Sequence, residues 1–244
     1  MLKRCIIAEN RKLHASPIWV IFFVLPLISA GYGTFNYLQN LEILTERWYS
    51  LWTQHTLFYS MLFFPAMVSA YAAYLWRLEH LGHNWNLIMA APVRPFALFA
   101  AKLLIVVKLM CFTQCFVFVL YVACGRLFAG FSDWPPVSIV FYLVRGIFGG
   151  LAVAAVQLLL AMLIRSFAVP IFLGLVGGIA GMLIGSKGYA LLWHYCLMQQ
   201  GMNANRSTDV LAGNVLPFLL ACAGWLAVVL LTAKVLLEKM DVKA

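Results

Sequence analysis

Charge is scarce in this sequence, because Asp, Glu, Lys and Arg together make up only 10% of its 244 residues. An ordinary soluble domain has roughly 25%. Hydrophobic residues account for 64% of the chain, and a soluble protein of this length could not bury that much apolar surface. The composition therefore excludes a soluble globular protein and indicates an integral membrane protein.

Acidic residues are scarcest, and all eight fall outside the long apolar segments. They are Glu9, Glu42, Glu46, Glu79, Asp133, Asp209, Glu238 and Asp241. Transporters driven by protons or sodium usually need a carboxylate at membrane depth to bind the driving ion. Ion-coupled transport is therefore not expected, and the paired acids of a membrane hydrolase are missing as well.

Motifs for metal binding and nucleotide hydrolysis are also lacking. The six cysteines show no pair or His/Cys cluster with zinc-ligand spacing, and there is no Gly-x-x-x-x-Gly-Lys-Ser/Thr loop. We therefore expect no catalytic residue, no metal site and no cofactor in this chain. If the protein moves a substrate uphill, the energy must come from another chain.

The apolar residues form six segments, each long enough to cross ~30 Å of hydrocarbon at ~1.5 Å per helical residue. They cover residues 17–36, 55–76, 96–124, 136–164, 168–186 and 215–234. The predicted fold is an all-α polytopic membrane protein, with six transmembrane helices in a single domain of residues 1–244.

Basic residues indicate the orientation. The formal net charge is +9, which in a membrane protein reflects the cationic bias of cytoplasmic loops rather than nucleic-acid binding. With the N-terminus inside, the outer segments hold only four of the 17 lysines and arginines, namely Arg47, Arg126, Lys187 and Arg206. Both termini are therefore predicted to be cytoplasmic.

Residues 1–15 have the pattern of an amphipathic helix that lies on the inner membrane surface. Leu2, Ile6 and Leu13 share one side of this helix, although Glu9 interrupts that side. The basic residues expected at the interface are Lys3, Arg4, Arg11 and Lys12. A disordered basic tail is the alternative interpretation.

Residues 77–91, between the second and third spans, predict a short amphipathic helix on the cytoplasmic side. Its apolar residues share one face, while Glu79, His83 and Asn86 share another. Pro92 would end the helix, and Arg94 opens the next span. Such a helix suits docking of a soluble partner, and a plain interfacial loop helix is the alternative.

The outer segments carry two further patterns. Residues 189–198 are apolar but too short to cross, so they predict short helices that dip into the outer leaflet before the sixth span. Trp48 and Trp52, before the second span, suit the membrane interface.

Glycines recur at helical spacing in the fourth and fifth spans, at Gly146, Gly150, Gly177, Gly181 and Gly185. Small residues let helices approach closely in lipid. The spacing is compatible with a sliding helix pair, with a contact to a second subunit, or with static packing inside one chain.

Three basic residues, Lys102, Lys108 and Arg145, remain inside the predicted spans. Lys102 can extend toward the inner surface, and Lys108, deeper in the same span, partly follows it. Arg145 falls near mid-membrane with no acid in reach in the sequence. It is a candidate for binding a substrate carbonyl or a lipid phosphate, and the alternative is that it extends to the outer phosphates.

The residues around the predicted loop helix resemble the signature of type-2 ABC exporter permeases. They are Glu79, Gly82, Trp85, Leu87, Pro92, Arg94 and, in the following span, Lys102. The architecture is similar over the whole chain, and more narrowly it resembles the permeases of lantibiotic-immunity transporters. Asn84 departs from the Ser or Thr that is more frequent before the tryptophan in that family.

The resemblance implies a mechanism and partners. Residues 77–91 would be a coupling helix in a cleft of an ATP-binding subunit dimer that binds Mg-ATP, with contact or support from Glu79, His83, Trp85, Asn86 and Arg94. A second permease, identical or different, would complete the membrane unit in a bacterial plasma membrane. The implied cargo is a peptide antibiotic. Alternatives are another amphipathic cargo, such as a lipid or a bacitracin-like antibiotic, and a membrane sensor or assembly subunit that does not transport.

Overall fold

A computed structural model describes residues 1–14, 16–81 and 94–239 of the chain. Across these ranges the chain is helical and has no β-strand. In chain order the helices are α1 (Leu2–Lys12), α2 (Ile18–Gln39), α3 (Trp48–Phe58), α4 (Phe64–His80), α5 (Pro95–Leu127), α6 (Val137–Leu163), α7 (Ala168–Ser186), α8 (His194–Gly201) and α9 (Val215–Lys239). A π-helical segment, Tyr59–Phe63, joins α3 to α4, and a 3-10 turn, Ala190–Leu192, precedes α8.

Six of the described helices are long and apolar enough to cross a membrane, which confirms the predicted fold class. The second of them runs over Trp48–His80 and so begins before residue 55, where the sequence prediction placed it. Near the predicted start, the polar side chains of Gln54 and His55 are satisfied by α2, since Asn36 donates a hydrogen bond to Gln54 (2.6 Å) and Thr34 bonds the His55 ring (2.9 Å).

The tryptophans of α3 lie in the protein interior rather than at a membrane interface. Trp48 is 2% exposed and Trp52 is fully buried. The Trp52 indole donates a hydrogen bond to the carbonyl of Met202 (3.0 Å), and its ring packs edge-on against Tyr121. The interface assignment was wrong because the first turns of this helix belong to the bundle.

Two spans are much longer than a bilayer. Trp48–His80 and Pro95–Leu127 contain 33 residues each, or ~50 Å at 1.5 Å per residue, against ~30 Å of hydrocarbon. Helix α1 stands beside the first part of α5 and runs in the same direction. Met1 contacts Arg94, Glu9 contacts Lys102, and Asn10 contacts Lys108. The N-terminal segment is therefore a helix packed on α5, and not a disordered tail.

Helix α6 packs against α8 with almost no side chain between them. A Cβ atom added at Gly149 would overlap the carbonyl of Leu197, and one added at Gly201 would overlap the carbonyl of Arg145. Helix α8 is largely buried, so it is a short, embedded helix before the last span, as the fold prediction expected. Close backbone approach of this kind maximises van der Waals contact where lipid offers no hydrophobic drive.

The glycines singled out in the sequence also contact side chains of the same chain. Gly146 lies against Met202, and Gly150 lies against Met110. Gly177 and Gly181 face Tyr195, and Gly185 lies near the sulfur of Cys196. Their positions match packing inside one subunit, but the closest backbone contacts involve Gly149 and Gly201, which the spacing pattern did not pick out.

We predict that Gly149→Ala lowers thermal stability, because its methyl group would meet the fixed backbone of α8. Overpacking of this kind costs roughly 1–3 kcal/mol. The measurement is the melting temperature of the purified protein in detergent. Gly224→Ala in α9 is the matched control, since a Cβ atom there meets nothing within 4 Å. Equal melting temperatures for the two variants would contradict the close α6–α8 packing.

Candidate functional site

Four charged side chains meet at one end of the bundle. This ion cluster consists of Glu9 and Lys12 from α1, Glu79 from the last turn of α4, and Lys102 from α5. The Lys102 ammonium lies 2.8 Å from a carboxylate oxygen of Glu9 and 2.8 Å from one of Glu79. Lys12 lies 2.6 Å from Glu9 and also pairs with Glu79. Three helices are thus joined through two anions and two cations.

The ion cluster is buried. Lys102 is 0% exposed, Glu9 1% and Glu79 4%. The Lys102 ammonium also donates a third hydrogen bond to the carbonyl of Leu75 at 2.9 Å. The ammonium nitrogen lies 5.1 Å from the Trp76 ring centroid. An ammonium has three donors, so all of them are used. Burying a charge away from water costs free energy unless the charge is paired and all its hydrogen bonds are made, as they are for Lys102.

Lys12 is the partly exposed member of the ion cluster. Burial lowers the pKa of its ammonium, but hydrogen bonds and charge attraction from Glu79 and Glu9 outweigh burial, so its pKa is raised above the ordinary value. Lys12 therefore remains protonated at neutral pH and balances the second carboxylate. Because each acid is neutralised by an ammonium, the cluster is suited to holding helices together and not to general acid–base chemistry.

The structure corrects three sequence predictions here. Glu79 lies inside the same continuous helix as the second span, not beyond it. Lys102 does not extend to the surface but is fully buried. Lys12 turns inward to the ion cluster, whereas Lys3, Arg4 and Arg11 are exposed. The one signal that could have located the cluster was Glu9, whose position on the apolar side of α1 calls for a cation.

The ion cluster adjoins the segment predicted to be the coupling helix. Residues 77–80 belong to α4, and Leu81 has an extended backbone (φ −81°, ψ 140°), so the predicted helix does not begin at Arg77. His83, Trp85 and Asn86 lie outside the described residues. Arg94, at the other end of this segment, is exposed, and its backbone N–H contacts the Met1 sulfur at 3.3 Å.

Arg145 has an acidic partner, contrary to the sequence prediction. Its guanidinium binds both carboxylate oxygens of Asp209 at 2.9 and 3.1 Å, and it lies 5.0 Å from the Tyr142 ring centroid. Asp209 comes from the segment between α8 and α9, 64 positions away. The pair ties this segment to α6, and no local pattern in the sequence could have revealed it.

A cavity of about 240 Å³ lies near the opposite end of the bundle from the ion cluster. It is bordered by the π-helical segment, by α7 and by α8, through Ser60, Met61, Gly181, Gln199 and Gln200 among others. The side-chain oxygen of Gln200 is buried there and has no hydrogen-bond partner among the described residues. A buried acceptor without a donor is costly, so this oxygen is a candidate point of ligand or water binding.

The fold and the ion cluster together define the class of protein: a multi-pass helical membrane protein in which buried ion pairs join separate helices. Residues 5–181 match a family model described as ABC-2 family transporter protein. Because the match covers most of the chain, including the ion cluster, the chain belongs to this family and is the membrane component of an ABC transporter. Comparison with curated proteins and with solved structures returned no match.

We predict that Lys102→Met strongly destabilises the protein, because Glu9 and Glu79 would remain buried with Lys12 alone. Breaking a buried ion pair costs roughly 3–5 kcal/mol. The triple variant Glu9→Gln, Glu79→Gln, Lys102→Met removes the stranded charges and should recover part of this loss. Melting temperatures in detergent provide the comparison.

The control is Arg47→Gln, which breaks the exposed pair with Asp133 (54% and 49% exposed side chains). An exposed pair contributes at most about 1 kcal/mol. If Lys102→Met and Arg47→Gln melted alike, the ion cluster would not be a stabilising core.

Proposed function

We propose that this chain couples ATP hydrolysis in a separate ATP-binding dimer to the expulsion of a peptide antibiotic, as a permease of the lantibiotic-immunity type. The observation that carries the coupling role is the ion cluster beside residues 82–93. Membership of the ABC-2 family already implies an ATP-binding partner. The Mg-ATP would be bound by that partner, and a second permease would complete the membrane unit.

The ion cluster favours transmission of force. Residues 82–93 connect α4 to α5, and these helices are joined by the Glu79–Lys102 pair just before and after that connection. Glu9 and Lys12 add α1 to the same unit. A partner that presses on residues 82–93 would therefore displace α1, α4 and α5 together. Moving one of these helices alone would leave a buried charge without its partner.

Contacts further along the two long spans keep them together toward the cavity. The Tyr71 hydroxyl lies 2.9 Å from the Thr113 hydroxyl, and Tyr59 donates to the Gln114 side chain at 3.1 Å. Tyr59 opens the π-helical segment, and π-bulges are frequent at functional sites because they interrupt regular helix geometry. A displacement of α4 would therefore also move this π-helical segment, which borders the cavity.

The cavity supports an amphipathic peptide as cargo. Its border combines the amides of Gln199 and Gln200 and the hydroxyl of Ser60 with the apolar chains of Leu57 and Met61. Its volume of about 240 Å³ falls below the ~300–1,000 Å³ of complete small-molecule sites. It would hold a side chain or short segment of a larger cargo. A lipid or a bacitracin-like antibiotic has the same mixed chemistry and is the second candidate.

The second permease would pack against the least buried spans. In α7 and α9 only 28% and 17% of the most apolar window is buried within this chain, so both helices leave broad apolar faces for a partner or for lipid. The distribution of lysine and arginine supports cytoplasmic termini and a cytoplasmic site for residues 82–93. A bacterial plasma membrane is the proposed location.

We predict that Trp85→Ala abolishes association with the ATP-binding subunit. The measurement is a mild-detergent pull-down of the tagged chain from its native membrane, with mass spectrometry of the captured proteins. A chain with an ATP-binding loop should follow the parent protein and be lost with Trp85→Ala, at an unchanged melting temperature. Trp134→Ala, which removes a tryptophan that is 75% exposed, is the control. An ATP-binding chain retained by both variants would contradict the coupling role.

We also predict that Gln200→Leu reduces protection against the cargo without affecting association with the ATP-binding subunit. Protection is measured as the inhibitory concentration of a lantibiotic, of bacitracin and of an unrelated antibiotic, in cells that express the whole transporter. Gln39→Leu, at an exposed position in α2, is the control. Protection against the lantibiotic alone supports the narrower cargo. Protection against none of the peptides would favour a sensor or assembly role.

A further inference from the structure

Lys108 is a cation on an outward face of the bundle. It lies on one stripe of α5 with Leu104 and Phe112, which are each 46% exposed and stand one turn before and one turn after it. Its ammonium bonds the side-chain oxygen of Asn10 at 2.5 Å and lies 5.4 Å from the Phe112 ring centroid. Among the described ion pairs none includes Lys108, so a neutral amide is its main partner.

The depth of Lys108 matches a headgroup region. From Leu127, where α5 ends, Lys108 is ~29 Å away at 1.5 Å per residue, close to the ~30 Å thickness of the hydrocarbon. If α5 ends at one membrane interface, Lys108 therefore lies at the other. Lys102 and the ion cluster lie ~9 Å further along the same helix, on the side of the headgroups and water.

Helix α1 adds positive charge beside Lys108. Its acid, Glu9, is buried in the ion cluster, whereas Lys3, Arg4 and Arg11 are exposed. Lys3 shares the side of α1 that holds Asn10, since the two residues are seven positions apart. The exposed charged residues of α1 are therefore cationic and lie beside the exposed apolar side chains of Leu2 and Ile7, and the helix contacts Lys108 through Asn10.

We propose that Lys108 and Asn10 bind the phosphate headgroup of an anionic phospholipid, which the nearby positive charge of α1 attracts. The Lys108 ammonium spends one of its three donors on Asn10 and keeps the others for phosphate oxygens, and the Asn10 amide adds its NH₂ group. Phe112 borders the site on the hydrocarbon side, where the acyl chains of a lipid lie, and Leu104 borders it on the headgroup side. A soluble anion would make no use of the apolar Phe112.

The site differs from the coupling and cargo sites, and neither the lipid contact nor its test depends on the proposed function.

The test is native mass spectrometry of the purified chain in detergent, titrated with dioleoylphosphatidylglycerol or with dioleoylphosphatidylcholine. The parent chain should retain the anionic lipid in preference. Lys108→Gln should weaken that retention about five-fold, the equivalent of ~1 kcal/mol per basic residue at an anionic surface. Lys108→Arg should preserve it. Lys187→Gln, at an exposed position after α7, should leave it unchanged.

A second variant guards against a folding defect at Lys108. The triple change Lys3→Gln, Arg4→Gln, Arg11→Gln alters only exposed residues and leaves the ion cluster intact, so it should fold and yet lose the lipid preference. Equal retention of the two lipids, or full retention of phosphatidylglycerol by both Lys108→Gln and the triple variant, overturns the proposal. Displacement of the lipid by millimolar inorganic phosphate would overturn it too, because it would show a site for a free anion.

Discussion

The buried ammonium of Lys102 is the constraint on which one end of this bundle depends. Once it leaves water, it needs acceptors in three directions, and these come from Glu9, Glu79 and the carbonyl of Leu75. The packing of α5 at this end therefore requires both helix α1 and the end of α4. The N-terminal helix is part of the bundle by electrostatic necessity, since without Glu9 and Lys12 a buried cation would face a single carboxylate.

A similar rule applies at the other end, with less burial. Arg145 of α6 is satisfied by Asp209, which fixes the segment before α9, and the direct α6–α8 backbone contact holds the short helix beside it. Each end of the bundle thus uses a charge pair to attach a segment that crosses no membrane. Helices α7 and α9 take part in no described ion pair, and their most apolar windows are the least buried within this chain.

The features that depend on local composition, above all the six apolar spans, were correctly predicted from the sequence. Long apolar runs revealed the six spans, because spanning hydrocarbon is a requirement on one segment at a time. Tertiary pairing stayed hidden: Lys102 and Glu9 are 93 positions apart, and nothing near Arg145 points to Asp209. The predicted second span left out the first turns of α3, whose polar Gln54 and His55 pair with Asn36 and Thr34 on α2. The positions that the sequence prediction missed are polar groups whose hydrogen-bond or ion-pair partners lie far away along the chain.

The charge balance of the ion cluster also bears on how motion can be driven. Two carboxylates face two ammonium groups, and the donors of Lys102 are all used, so gain or loss of a single proton would leave an unpaired charge in a buried site. The cluster is therefore better suited to a rigid joint than to a titrating switch. An ion cluster that acts as a rigid joint can transmit a movement between helices, but it cannot supply the energy for that movement. This agrees with an ABC-2 membrane component whose energy comes from an ATP-binding partner.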